Sequence, residues 1–189
     1  MDRETFWAIV ERARRAAGRE TVTADGAGAV ARQLVAELSV LSPAAIVGFE
    51  QAYDEVNLEA WRWDLWAAAY LMRGGCSDDG FDYFRGWLVA QGRAVWERAV
   101  ADPDSLAEAG VDPDDLAVDC EAVLSAAGDA YARVTGAGTD AFWEALDAAD
   151  GGAPDRAPAD PAGEDFDFAD DEQMRARLPR LAAIYRPVE

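Results

Sequence analysis

Two residue types that supply much of enzyme chemistry are missing from this chain of 189 residues. It contains no histidine, and all 17 basic residues are arginine, so lysine is absent too. Without lysine there is no Schiff base and no phosphate-binding lysine of the Walker type. Without histidine there is no serine or cysteine nucleophile activated by an imidazole. Any catalysis must therefore use carboxylates, tyrosine, cysteine, hydroxyl groups, arginine or a bound metal.

Cysteine and long apolar runs are also scarce. The two cysteines, Cys76 and Cys120, cannot build a disulfide framework. No stretch approaches the roughly 18 consecutive apolar residues that a membrane-spanning helix needs. The opening Met1-Asp2-Arg3-Glu4 shows no signal-peptide pattern. We therefore expect a cytoplasmic protein with reduced thiols and no membrane contact.

The charge is strongly one-sided. The chain has 37 acidic and 17 basic residues, which gives a formal net charge of −20. This charge repels nucleic-acid phosphates and anionic membranes, so neither is an expected partner. The simplest interpretation is an acidic surface that keeps the protein soluble. A basic protein partner, such as a toxin that the chain neutralises, is a second interpretation, and DNA mimicry or cation binding is a third.

Apolar residues recur at helical spacing through most of the chain. The pattern predicts a helix that ends near Gly18, and Ser42-Pro43 is typical of a helix start. A central helix is predicted over residues 58–73, a second over 77–100 after Gly74-Gly75, and a long helix from Asp112-Pro113 to about 135. No segment alternates as a strand does. The fold class is therefore a single-domain, all-α bundle of about seven or eight helices around a tryptophan-rich central helical hairpin.

The composition divides the chain into three parts. Residues 1–149 are predicted to form the α-domain. Residues 150–169 are an acidic loop rich in Gly, Pro and Asp. Residues 170–189 are predicted to form a C-terminal helix that docks on the domain, because its apolar stripe could not be buried otherwise.

Tryptophans and acidic residues are concentrated near the middle of the chain. Residues 62–70 read RWDLWAAAY, residues 74–88 read GGCSDDGFDYFRGWL, and Gly92 and DPDSLA at 102–107 follow. This pattern resembles DUF4240, a bacterial family of domains of unknown function that is common in actinobacteria. The opening Phe6-Trp7 and the closing residues 178–181 (LPRL) are similar to the ends of that family. The resemblance covers most of the chain up to about Tyr131 and implies no particular activity.

The candidate site lies within this pattern. Asp78, Asp82 and Arg85 are spaced i, i+4 and i+7, so they share one helix face, with Asp79 and Tyr83 beside it. In the structural interpretation Ser77 caps the helix, and Asp78 and Asp79 complement its dipole. Asp82 or Asp64 then pairs with Arg85 and holds two helices in register.

Two functional interpretations remain beside the structural one. Carboxylates at 78, 79 and 82 could bind Mg²⁺ or Ca²⁺ through their oxygen atoms. Alternatively, Arg62, Arg73 or Arg85 could line a pocket for an anion or a small molecule. We expect no cofactor, but the cation site stays open as an alternative.

Single residues carry further expectations. Asp64 lies among Trp63, Leu65 and Trp66, where a charge is usually paired, so we expect Arg85 or Arg93 as its partner. Buried without one, Asp64 would be a general-acid candidate. Cys76 precedes a helix N-terminus, a place that lowers the pKa of a thiol, but with no histidine as base we expect a small, partly buried thiol.

Two more positions complete the expectations. Cys120 is predicted to face the core, and Trp96 is the candidate for a surface aromatic residue. Together the sequence favours a non-enzymatic binding or regulatory protein. A carboxylate-based enzyme or divalent-metal-binding protein centred on Asp78, Asp79 and Asp82 is the first alternative. An acidic neutraliser of a basic toxin or DNA-binding protein is the second.

Overall fold

The computed structural model describes residues 1–18, 21–151 and 160–187. Of these described residues, 71% are helical. Within the described ranges there are eleven α-helices, one 3-10 helix and no strand, which confirms the predicted all-α single-domain class. The helices are α1 (Arg3–Ala17), α2 (Ala24–Leu38), α3 (Pro43–Glu59), α4 (Trp63–Arg73), α5 (Asp78–Ala90), α6 (Arg93–Ala101), the 3-10 helix (Pro103–Glu108), α7 (Glu121–Leu124), α8 (Ala126–Thr135), α9 (Thr139–Ala149), α10 (Asp171–Arg177) and α11 (Pro179–Tyr185).

The helices enclose one aromatic core. Helix α2 contacts α1, α7 and α8, α5 contacts α7, and α11 contacts both α4 and the 3-10 helix. Trp7, Trp87 and Trp96 are among the largest fully buried side chains. The expectation that Trp96 is a surface aromatic residue is therefore wrong, since its ring packs against Trp7 with 5.5 Å between centroids. The exposed tryptophan is Trp143, of which 49% is accessible.

Local capping signals place several helix ends where the sequence predicts them. Ser42 accepts a hydrogen bond from Ala45 N, with Pro43 in the first turn of α3. Gly18 follows α1 with φ of 108°, and Gly74 ends α4 in the left-handed region at φ of 67°. These positions favour glycine because a Cβ atom is strained there.

The central hairpin differs from the prediction in length. Helix α4 begins at Trp63 rather than near residue 58, because α3 extends to Glu59 and the backbone of Arg62 is extended. The second predicted helix is divided in two, since Gly92 has φ of 85° and redirects the chain between α5 and α6. The described residues therefore form more helices than the predicted seven or eight, and these helices are shorter.

The long helix predicted from Asp112 to about residue 135 is wrong in its first half. Residues 111–120 form no helix, and only α7 and α8 follow. Asp112 accepts from Asp114 N and Asp115 accepts from Ala117 N, and such local side-chain bonds compete with helical ones. Leu116 is 49% exposed in this non-helical segment, whereas Cys120 is buried as expected.

The segment 111–120 is nevertheless fixed to α5. Cys120 N donates to Tyr83 O over 2.9 Å. A Cβ atom at Gly86 would lie 2.5 Å from Cys120 O, so only glycine permits this approach of the two backbones. The segment therefore follows the surface of α5 at a fixed position.

The C-terminal part returns to the body of the domain. Met174, Leu178 and Leu181 are buried, and Pro179 divides the expected single helix into α10 and α11. Of the predicted loop 150–169, residues 152–159 lie outside the described residues. Within the described ranges no helix has the length and apolar character to cross a membrane.

Candidate functional site

The first turn of α5 is built as a helix cap. Ser77 Oγ accepts from Gly80 N over 3.2 Å, as the structural interpretation predicts. Asp78 and Asp79 lie in the first turn, where their charges complement the helix dipole, and both side chains are exposed. These carboxylates point away from the core, so they are available to the surface and not to an enclosed pocket.

Arg85 connects α5 to the end of α3. It forms an ion pair with Asp82, and its Nη1 donates to Asn57 O over 2.9 Å. The guanidinium carbon lies 5.0 Å from the Trp61 ring centroid and 5.1 Å from that of Phe81, so two aromatic faces contact the cation. The pairing of Asp82 with Arg85 is as predicted. The link to α3 runs through a backbone carbonyl and not through a second carboxylate.

Asp64 pairs with a different arginine from those predicted. Its two carboxylate oxygens accept from Arg62 Nε and Nη2, both over 3.0 Å, and Oδ1 also accepts from Leu65 N. The extended backbone of Arg62, just before α4, brings its side chain back over the first turn. The expectation of Arg85 or Arg93 is therefore wrong. Arg93 pairs with two glutamates, Glu4 and Glu97.

The pKa of the Cys76 thiol is raised, although its position before a helix N-terminus suggests a lowered one. Burial raises the pKa of Cys76 to about 11, and the nearby Arg73 cation opposes this only in part. The carbonyl oxygen of Cys76 accepts from Trp66 Nε1 over 3.1 Å, which holds the turn against the core. A thiol that stays protonated is a poor nucleophile, so the expected lowering by the helix N-terminus is overridden by desolvation.

The predicted cation site receives no geometric support. In the part of the chain that the structure describes, no three His, Cys, Asp or Glu side chains are grouped so that they could hold a metal ion. Asp78, Asp79 and Asp82 all lie in that part. Asp82 is already engaged by Arg85, and Arg73, one of the candidates for an anion pocket, donates to Asp119 and to Val118 O.

What the structure does bring together is a surface of carboxylates, here called the acidic face. Two elements contribute to it: the start of α5 and the segment 111–121. Its members are Asp78, Asp79, Asp82, Asp112, Asp114, Asp115, Asp119 and Glu121. The exposed Leu116 lies among them in the chain, and its methyl group would lie 3.5 Å from a Cβ atom at Gly74.

Tyr83 shows that the two halves of the acidic face adjoin. Its hydroxyl donates to Glu121 over 3.5 Å. The pKa of Tyr83 is raised, first by the Glu121 charge and further by Asp79 and Asp82. Arg73 joins the other end, where its Nη1 lies 2.9 Å from Asp119 Oδ2. The Asp112 and Asp115 charges also add to the effect of burial in raising the pKa of Tyr185.

Sequence reasoning missed two buried carboxyl groups. Glu50 is 6% exposed on α3, and Asp104 is 5% exposed in the 3-10 helix. Burial raises the pKa of Glu50 to about 8, with the Asp54 charge as a second cause. A signal existed for Glu50, because it shares a helical face with Ile46 and Tyr53 on the apolar side of α3.

The comparisons with known proteins give a family and no function. A family model described as Protein of unknown function (DUF4240) matches residues 1–133. The chain therefore belongs to this family, as the motifs in residues 62–107 indicate. Neither a curated protein nor a solved structure is significantly similar to the chain. The matched range contains the whole acidic face and ends before α9.

Proposed function

We propose that this protein is a non-enzymatic binding protein, and that it binds a basic segment of a protein partner through the acidic face. One observation carries the proposal: α5 and residues 111–121 lie side by side, held by the Cys120–Tyr83 and Tyr83–Glu121 hydrogen bonds, and together they carry eight carboxylates and the exposed Leu116. Arginines pair with two of them, Asp82 and Asp119. The others form no ion pair within the described ranges, so the surface keeps a large negative charge.

The composition of the face fits a lysine- or arginine-rich partner. Complementary charges steer such a partner to the surface and determine its orientation. Leu116 supplies an apolar contact at the same place, and water is released when it is covered. A basic toxin or a DNA-binding protein is a partner of this chemical class, which keeps the second alternative from the sequence within the proposal.

The acidic face is also held in shape before any partner arrives. Cys120 is bonded to the α5 backbone, and Asp112 and Asp115 bond to the backbone of their own turns. A surface that is already ordered loses less conformational entropy on binding. This supports recognition by a fixed charge pattern.

The reactive groups support a role outside catalysis. Asp64, Asp82 and Asp119 are paired with arginines, and the Cys76 thiol is held protonated. Both cysteines are free, in keeping with a cytoplasmic, reducing compartment as part of this proposal.

A binding titration tests the proposed surface. The probe is a fluorescent peptide of alternating lysine and leucine, measured by anisotropy at about 50 and about 300 mM NaCl, which shortens the screening length by a factor of about 2.4. The triple variant D112N/D114N/D115N is expected to weaken binding by about tenfold or more at low salt, equivalent to roughly 1.4 kcal/mol. Asparagine keeps the local hydrogen-bond acceptors, so the backbone should be undisturbed.

The matched control removes the same charge elsewhere. D140N/E144Q/D147N neutralises three exposed carboxylates on α9, beside the exposed Trp143. It should leave affinity within about twofold of wild type, since these residues lie outside the acidic face. Equal weakening by both triple variants would mean that bulk charge, not this surface, attracts the probe. L116S should weaken binding with little change in salt dependence.

A thermal shift tests the metal-binding alternative from the sequence. A site at Asp78, Asp79 and Asp82 would raise Tm on addition of about 10 mM MgCl₂ or CaCl₂, because a ligand that binds only the folded state stabilises it. The variant D78N/D79N/D82N would remove that rise. We expect no difference between the variant and wild type in this response.

A further inference from the structure

A short C-terminal segment crosses the start of α4 and pairs with its backbone. Ala162 N donates to Trp61 O over 2.8 Å, and Trp63 N donates to Ala162 O over 3.0 Å. This is a parallel β-type bridge, and among the described residues it is the single one. We call residues 160–168 the strap.

The strap places an aromatic side chain on α4. Trp63, Trp66 and Tyr70 are spaced i, i+3 and i+7, and together they form what we call the aromatic groove. The ring centroid of Phe168 lies 6.1 Å from that of Trp63, 6.4 Å from Trp66 and 5.6 Å from Tyr70. Phe166 packs edge-on against Phe168, with 5.1 Å between centroids.

Arg177 on α10 adds a polar contact to the same arrangement. Its guanidinium carbon lies 4.3 Å from the Phe166 ring centroid, and its Nη2 lies 2.9 Å from Glu164 Oε2. The residues that meet the body therefore read Glu-x-Phe-x-Phe at 164–168. Alternate side chains of an extended segment face the same side, which explains the spacing of the two phenylalanines.

Few contacts hold the strap compared with the elements around it. Pro161 is buried and the two phenylalanines are half-buried, but residues 162–165 and Asp167 are exposed. By contrast, Met174 and Leu181 in the following helices have no accessible surface. The strap can therefore open locally while α10 and α11 stay docked.

The aromatic groove and the strap lie in different parts of the chain relative to the family match. The aromatic groove lies within residues 1–133, which match the family model, whereas the strap lies outside that range. The strap therefore lies outside the matched range and covers an aromatic surface within it.

We propose that the aromatic groove is a peptide-docking site, that the strap closes it in the resting protein, and that the partner is an extended segment of the form Glu-x-Phe-x-Phe. Trp61 O and Trp63 N, now bonded to Ala162, would supply main-chain hydrogen bonds, the groove would receive the second phenylalanine as it receives Phe168, and Arg177 would contact the glutamate and the first phenylalanine. This is the mode in which extended peptides add to an exposed backbone edge. The groove uses other residues than the acidic face, and its partner is acidic where the other partner is basic.

The test supplies the strap's own sequence in trans. The probe is a synthetic peptide of residues 160–170, titrated into the protein while tryptophan fluorescence and amide NMR shifts are recorded. The receiving protein is F166S/F168S, which lacks the aromatic anchors. We expect it to bind the peptide at least about tenfold more tightly than wild type, whose groove is occupied. The control D165S/D167S alters exposed strap residues only and should behave as wild type.

Two further variants test whether the peptide binds in the aromatic groove and provide a second receiver if the first one misfolds. Adding W63A to F166S/F168S should abolish binding, and a peptide with both phenylalanines changed to serine should not bind. If F166S/F168S loses its helical circular dichroism, the single variant F168S serves as receiver. Equal binding by wild type and receiver, no binding by any folded receiver, or binding unaffected by W63A would each overturn the proposal. The acidic-face titration is independent of all these outcomes.

Discussion

Two buried carboxyl groups in this protein have nearly the same exposure and opposite surroundings. Asp104 is 5% exposed and Glu50 is 6% exposed. Asp104 accepts hydrogen bonds from Arg180 N, Arg180 Nε and Leu181 N, at 3.1, 3.0 and 2.9 Å. The carboxyl group of Glu50 makes no hydrogen bond with the described residues, and desolvation raises its pKa to about 8. Two equally buried carboxyl groups therefore differ in their donors, because three donors contact Asp104 whereas desolvation acts on Glu50 without any.

The difference follows from what each group does in the fold. Asp104 receives the first backbone amides of α11 and the side chain of Arg180, so it attaches the C-terminal helices to the 3-10 helix. Glu50 lies inside α3, where its own helix already uses the backbone amides. A carboxylate is stable where donors are unsatisfied, and a helix start provides them while a helix interior does not.

The largest expected effect concerns Glu50 and pH. Because its pKa in the folded state lies above the unfolded value of 4.5, the folded state holds the extra proton between pH 4.5 and 8. This contribution to stability is complete below pH 4.5 and declines by up to about 1.4 kcal/mol per pH unit until pH 8. Gln does not titrate, so the stability of E50Q relative to wild type should rise by several kcal/mol from pH 5 to pH 8.

Urea denaturation at a series of pH values measures this difference. Taking the variant minus wild type cancels the titration of the other carboxyl groups, provided they are undisturbed. The two proteins should be close in stability at pH 5 and diverge above it. A constant difference from pH 5 to 9 would mean that Glu50 is ionised throughout and that the contrast with Asp104 is false.

The next largest effect concerns Asp104, whose carboxylate accepts three hydrogen bonds. D104A removes three hydrogen bonds at the start of α11 and leaves two backbone amides and Arg180 Nε without their acceptor. We expect a loss of about 2–4 kcal/mol in the free energy of unfolding at pH 7. Denaturant unfolding measures it, and hydrogen exchange should show α11 opening first. A loss as small as that of an exposed carboxylate would contradict the role assigned to Asp104.

The smallest expected effect concerns the exposed carboxylates that share Arg180 with the buried Asp104. Arg180 also pairs with Asp102 and Glu108, whose side chains are 57% and 59% exposed, against 8% for Asp104. Solvent screens exposed pairs, so D102N and E108Q should give no resolvable change in unfolding free energy. They serve as matched controls for D104A on the same arginine. A comparable loss in either variant would show that the arginine network, and not the buried acceptor, holds α11.

Features set by neighbouring residues could be predicted from the sequence. The caps at Ser42 and Ser77, the ends at Gly18 and Gly74, and the Asp82–Arg85 pair all depend on residues within one turn or so of each other. The all-α class follows from many such local patterns added together. These interactions exist in a short peptide, so a linear reading contains the necessary information.

Features that depend on distant residues could not be predicted in the same way. Trp96 is buried because α1 brings Trp7 against it, and Asp104 is satisfied by a residue 76 positions away. Asp64 shows the converse error, since distant arginines were expected and the neighbouring Arg62 is the partner. The failure of the helix over 111–120 has a local cause, because aspartates that bond to their own backbone were read as ordinary helix residues.

The contact at Gly86 has a consequence for how this protein can vary. A Cβ atom added at Gly86 would lie only 2.5 Å from Cys120 O. The backbones of α5 and of the segment before α7 are therefore in direct contact. The same helix holds Trp87 in the interior with no accessible surface. A substitution that shifts α5 to repack the interior would displace the outer aspartates by the same amount. A change in the interior that moves α5 therefore also moves the surface pattern.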